Sequence, residues 1–191
     1  MTHRLMGFAD GENLVARYQA IVKAGRTPRA GIEYEKDVLV WHEEITEQFV
    51  SDVVRLSYYQ TVSGDDLKLE EIHERITGVR FGYSPENQDD SITYSGSLYP
   101  RIFKKESRSA KTKSVDINLT IDVLRHAADP RIDIIFLLSG DGDFLPLAQE
   151  VSRNGKQVWL AAFSSGLSRR LRHVADEFID LDELFFEPEA T

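Results

Sequence analysis

Four aspartates carry most of the chemistry this sequence offers. Asp10 closes the apolar stretch RLMGFAD (4–10), and Asp141 and Asp143 stand one residue apart in LLSGDGDF (137–144), just past the apolar run IDIIFLLS (132–139). Asp116 falls in the first turn of the helix predicted over SVDINLTIDVLRHAAD (114–129). A carboxylate is costly to bury unless a positive charge meets it. If the 4–10 and 132–139 strands are neighbours, all four acids converge on one sheet edge, where mutual repulsion makes a cation the natural resolution. Carboxylates without Cys or His select Mg²⁺ or Mn²⁺. Each acid also has an ordinary reading by itself. Asp10 before Gly11 forms a turn, Asp116 complements a helix dipole, Asp143 caps the helix after it, and Asp141 stabilises the GDGD turn. The same chemistry at two strand ends and one helix start favours the metal site.

Other motifs fall away. As an EF-hand loop, SGDGDF would place Leu145 at the fifth position and Ser152 at the twelfth, where Glu belongs. Gly140 and Gly142 lack the third glycine of a dinucleotide fingerprint. There is no P-loop and no G-x-S-x-G elbow. His3, His42, His73, His126 and His173 show no ligand spacing, and the chain has no cysteine, which excludes disulfides, thiolate metal sites and cysteine nucleophiles.

Positioning these acids requires alternating strands and helices. Strands are expected at 4–10, 52–62, 101–105, 132–139, 156–163 and from 177; VLVWHEEI (38–45) reads as either a strand or a helix start. Helices are expected at 12–25, 65–77, 114–129, 143–155 and 166–175, with a last short one ending near 185. In the 114–129 helix, Ser114 serves as N-cap and Ile117, Leu119, Ile121 and Leu124 supply apolar positions. Pro146 in the first turn and Gly155 at the end bound the helix after Asp143. Residues 26–37 read as loop, and 82–100 as either a hairpin-bearing insert or a flexible loop. Strands alternating with helices in the C-terminal half imply a mainly parallel sheet covered on both faces. Ligands of such sheets sit outside the carboxyl ends of the strands, where strand order reverses.

At 191 residues and 41% hydrophobic content the chain suits a single folded domain. No apolar run approaches a membrane span, and the N-terminus enters a strand without a signal-peptide core, so a cytoplasmic location is expected. The net charge of −9 argues against nucleic acid, but it is unevenly spread. RIFKKESRSAKTK (101–113) holds Arg101, Lys104, Lys105, Arg108, Lys111 and Lys113 against Glu106, and RRLRH (169–173) is a second basic cluster. Such a stripe attracts phosphate locally even on an acidic body; alone it also fits a solvated loop.

FADGENL, KSVDINLTIDVL, LLSGDGDFLPLAQEVSRNGKQVWLAAF and LSRRLRHVADEFIDL, in that order and spacing, resemble the NYN domain, the PIN-like nuclease group that includes the LabA-like proteins. The resemblance covers the first 25 residues and the chain after about 110, leaving 26–110 as an elaboration of a single 1–191 domain. It implies a three-layer α/β/α fold, flavodoxin-like, with a metal-dependent ribonuclease site and RNA as partner. Asp10, Asp116, Asp141 and Asp143 would then be the catalytic, Mg²⁺- or Mn²⁺-binding acids. Asn13 would accompany Asp10, Ser139 would line the same strand end, and Lys113 would sit near the scissile phosphate. Asp122 matches a further acid of that block, but six residues after Asp116 it lies about 120° round a helix, which suits a supporting role. The basic stripe leads into Lys113 and would deliver RNA phosphates to the acids. The rival reading is a regulatory RNA- or protein-binding module with little turnover. A phosphatase is disfavoured by DGEN in place of D-x-D at the first strand. Self-association is left open.

Overall fold

The computed structural model describes residues 2–47, 49–85, 94–105 and 114–188. Its first unit is β1 (Arg4–Asp10) followed by α1 (Gly11–Lys23). A short antiparallel pair, β2 (Glu33–Glu35) and β3 (Leu39–Trp41), leads through α2 (Glu44–Glu47) into the long β4 (Asp52–Val62). After α3 (Asp66–Thr77) come the hairpin β5 (Arg80–Tyr83) and β6 (Tyr94–Ser97), then β7 (Tyr99–Lys104). The C-terminal half alternates regularly: α4 (Ser114–Ala127), β8 (Ile134–Leu138), α5 (Leu145–Arg153), β9 (Gln157–Ala162), α6 (Arg169–Val174), β10 (Glu177–Asp180) and α7 (Leu181–Phe185).

Six strands form one sheet in the order β10-β9-β8-β1-β4-β7, and every pairing in it is parallel. The chain steps outward from β1 to β4 to β7, then returns past β1 to β8. Strand order therefore reverses between β1 and β8, and the crevice of an open α/β sheet lies there. Alternation along β1 fills both faces: Leu5 and Ala9 join one core with Leu14, Tyr18, Trp41 and Phe185. Met6 and Phe8 join the other with Tyr59, Leu119, Leu147 and Leu171. The result is the expected three-layer α/β/α architecture. Among the described residues no helix is long and apolar enough to cross a membrane.

Several local expectations change. The 26–37 loop contains β2, and 38–45 resolves into both a strand and the start of a helix. The irregular middle carries the β5–β6 hairpin, whose connecting residues 86–93 lie outside the described residues. Its flanks also supply β4 and β7 to the central sheet. In α4 the buried face is Val115, Leu119, Val123 and Ala127. Ile117, Ile121 and Leu124 are 55%, 41% and 39% exposed, because a repeat of four from Val115 keeps to one side and residue 117 lies about 200° round from it. Ser114 is the first residue of α4, and the position before it lies outside the described residues.

Candidate active site

Asp10 ends β1 and caps α1, its Oδ1 accepting the Asn13 backbone N–H at 3.1 Å. Gly11 is required here for space. A Cβ at that position would run into the Tyr58 ring and the Tyr59 carbonyl of β4. Asp10 is thus a helix N-cap and not part of a separate turn, since β1 passes directly into α1, and its carboxylate lies in the crevice between β1 and β8. Its Oδ2 accepts a hydrogen bond from the Ser139 hydroxyl at 2.9 Å. The Ser139 oxygen accepts in turn from the Asp141 N–H at 3.2 Å, and the Asn13 side-chain oxygen accepts from the Gly140 N–H at 3.3 Å. The end of β1 is thus tied to the loop after β8, two segments 129 residues apart. Asp10 and Ser139 are buried, at 3% and 0% exposure.

Burial pushes the Asp10 carboxyl up to about 7 from its ordinary 3.8, against the Asn13 and Ser139 hydrogen bonds, which lower it; the negative charges of Asp116 and Glu12 raise it further. Asp116, in the first turn of α4, therefore acts on Asp10 through space. No cationic side chain among the described residues pairs with Asp10. Asp141 is half-buried and caps the 3₁₀ turn Gly142–Phe144 by accepting the Asp143 N–H at 2.9 Å. The cap of this turn is therefore Asp141, and Asp143 stands exposed within the turn. The loop is seated on the start of α6, where the Ser168 N–H donates to the Gly140 carbonyl at 3.0 Å.

The expected acids are thus gathered unequally. Asp10, Asn13, Ser139 and Asp141 share one hydrogen-bonded network, Asp116 acts on Asp10 electrostatically, and Asp143 is exposed, tied to Asp141 through its backbone N–H. Among the described residues no three acidic or histidine side chains form a ready cage for an ion. The donor chemistry nonetheless suits a hard cation, with carboxylate oxygens around a desolvated Asp10 that lacks a positive partner.

Asp122 is held by other partners. It accepts from the Tyr59 hydroxyl and from Arg101 Nη2, both at 2.9 Å, and lies 3.6 Å from Arg125 Nη1. The basic stripe is divided among partners. Arg101 is held by Asp122, Lys104 pairs with Asp66 at 2.7 Å, and Lys105 lines a groove on the α1 side with Glu12 and Asp37. Arg108, Lys111 and Lys113 lie outside the described residues. Sequence reasoning missed Arg55, Tyr59 and Arg125, which surround Arg101 and Asp122. Arg55, Ser57 and Tyr59 alternate along the strand read at 52–62, and a polar face at period two on an otherwise apolar strand was the available signal.

Compared with known proteins, the NYN domain family matches residues 4–182. Domains of this kind fall within the PIN-like nuclease superfamily. An uncharacterized protein of Methanocaldococcus jannaschii is 32% identical over 71 residues, a stretch covering 37% of this chain and 30% of the archaeal protein. The crystal structure of a protein of unknown function from Vibrio parahaemolyticus superposes with a TM-score of 0.65 at 19% identity, covering 97% of each chain. At that identity the likeness speaks for the fold alone.

Proposed function

The chain belongs to the NYN domain family, and from that membership together with the acid-lined crevice we propose that it is a metal-dependent ribonuclease. It hydrolyses RNA phosphodiester bonds at the carboxyl edge of the sheet. The observation that carries this reading is the network joining buried Asp10, through Ser139, to the Asp141 loop at the point where strand order reverses. Mg²⁺ or Mn²⁺ held by Asp10, Asp116 and Asp141 would supply an activated water and neutralise charge on the phosphate. Ser139 fixes the Asp10 carboxylate by donating to it, and Asn13 pins the loop that carries Asp141. Exposed Asp143, two residues beyond Asp141 in the loop, would orient the attacking water and accept its proton. Glu12 and Asp116 add negative charge beside Asp10, which strengthens the crevice's preference for a cation.

One observation favours a second reading, an RNA- or protein-binding regulatory module with little turnover. No three of the described acids close into a cation cage. One experiment separates the two. Labelled RNAs and single-stranded DNA are incubated with the protein and Mg²⁺, Mn²⁺ or EDTA, beside Asp141→Asn. The expected result is metal-dependent cleavage of RNA, absent in EDTA and at least ~100-fold slower in the variant, the scale of losing one group that stabilises the reacting charge. Cleavage that persists in EDTA or in Asp141→Asn refutes the site. Uncut but tightly bound RNA selects the regulatory module.

A further inference from the structure

On the α4 side of the sheet, a second polar cavity of about 170 Å³ opens at the β4–β7 edge. Its polar wall comes from Arg55 and Tyr59 of β4, Tyr99 and Arg101 of β7, and Asp122 and Arg125 of α4, with Phe8 of β1 also lining it. The register fixes its place relative to the acids. Asp10 pairs with Tyr59, which pairs with Arg101, so Arg101 stands level with Asp10 and two strands, or about 10 Å, to the side. From there the cavity descends beside α4 past Tyr99 to Arg55.

Its charge is unbalanced. Three guanidinium groups face one carboxylate, and the body around them is acidic overall, at −9. Asp122 already divides itself among Arg101, Arg125 and the Tyr59 hydroxyl. Arg55 stacks over the Tyr99 ring at 4.6 Å, and no carboxylate among the described residues pairs with it. The Nε of Arg101 is buried with no hydrogen-bond partner, so the loss of water around that cation is incompletely offset. His126 also lines the cavity; burial lowers its pKa, which keeps it from adding charge at neutral pH. Guanidinium groups converging from two strands and a helix match the oxygens of a phosphate. The volume is well below that of sites enclosing a whole small molecule, which suits a phosphate rather than an entire nucleotide.

We propose that this cavity holds a backbone phosphate of the RNA strand, a few nucleotides from the bond presented to the acid crevice. Tyr99, 45% exposed, lies at the rim, where a neighbouring base stacks. The inference rests on the RNA reading above but not on turnover.

The test is binding in EDTA, where nothing is cut. A labelled single-stranded RNA is titrated against the wild type, Arg125→Gln and Arg55→Gln/Arg125→Gln across a salt series. The Arg125 side chain is 74% exposed, so its replacement leaves the fold intact. The double variant is expected to bind about tenfold more weakly. Its slope of log affinity against log salt is expected to be shallower by about 0.7, the counterion release of one single-strand phosphate. Replacing single linkages with uncharged methylphosphonates should weaken the wild type at one linkage and leave the double variant indifferent there. RNA binding with unchanged affinity and slope in the double variant overturns the cavity assignment while sparing the functional reading. Absence of RNA binding by the wild type overturns both. A 5′-mononucleotide or inorganic phosphate that competes as tightly as the oligonucleotide overturns the strand assignment in favour of a small-ligand site.

Discussion

Replacing Asp10 by Asn removes a charge from a place where the fold barely tolerates one, and the effect must depend on pH. In the unfolded chain this carboxyl ionises near its ordinary 3.8; in the fold, burial and the negative charge of Asp116 delay ionisation to about 7. Between those values the folded state holds the extra proton, so stability is greatest below the lower one and falls as pH rises through the upper one. Integrated from pH 5 to pH 8, this single group costs the metal-free protein on the order of 2–3 kcal/mol. Asp10→Asn keeps the oxygen that accepts the Asn13 N–H, and its amide donates to Ser139 in place of the reverse bond. Because it has no proton to lose, its stability lacks this fall. Urea unfolding of both proteins in EDTA at the two pH values checks the difference of differences, in which any constant effect of the substitution cancels. A wild type that loses on the order of 2–3 kcal/mol more than Asp10→Asn supports the reasoning. Parallel pH profiles refute it, and with it the picture of a carboxylate starved of positive charge. Excess Mg²⁺ at the higher pH should then recover the wild-type loss and leave the variant unmoved, since an ion that binds only the folded chain stabilises it.

Two further outcomes test the packing that carries the site. Gly11→Ala should destabilise by about 2–3 kcal/mol through overpacking against Tyr58 and Tyr59, and should lower any cleavage activity because the same turn aims Asp10; thermal unfolding within the error of the wild type would show that α1 can shift aside. Leu119→Ala should cost roughly 3 kcal/mol and Ile121→Ala under about 1 kcal/mol, measured by denaturant midpoint, because Leu119 is fully buried and Ile121 is 41% exposed; equal losses would mean that α4 is rotated from its described position.

The positions of the acids were legible because each is set within a few residues of chain. Asp10 and Asp141 each follow an apolar run that a parallel sheet buries, so reading the strand also reads its end. Their union was only conditional on β1 lying beside β8, and a long crossover sets that neighbourhood. The described part of the basic stripe was less legible: adjacency in sequence between 101 and 105 is not adjacency in space, because pairing divides Arg101, Lys104 and Lys105 between Asp122, Asp66 and the α1 side of the sheet. The apolar positions of α4 misled because Val, Ile and Leu occur on both its faces, and periodicity cannot choose between two apolar faces of one helix. Hardest to see was the cavity around Arg101, which takes residues near 55, 100 and 122 from three elements. No local motif holds that constellation, yet the register places Arg101 level with Asp10, two strands or about 10 Å to the side, with Arg55 four residues further down β4. On the proposed reading, a strand of RNA that reaches Asp10 along the β4–β7 edge passes those guanidiniums first, so local acids and non-local arginines would together form one path across the sheet edge.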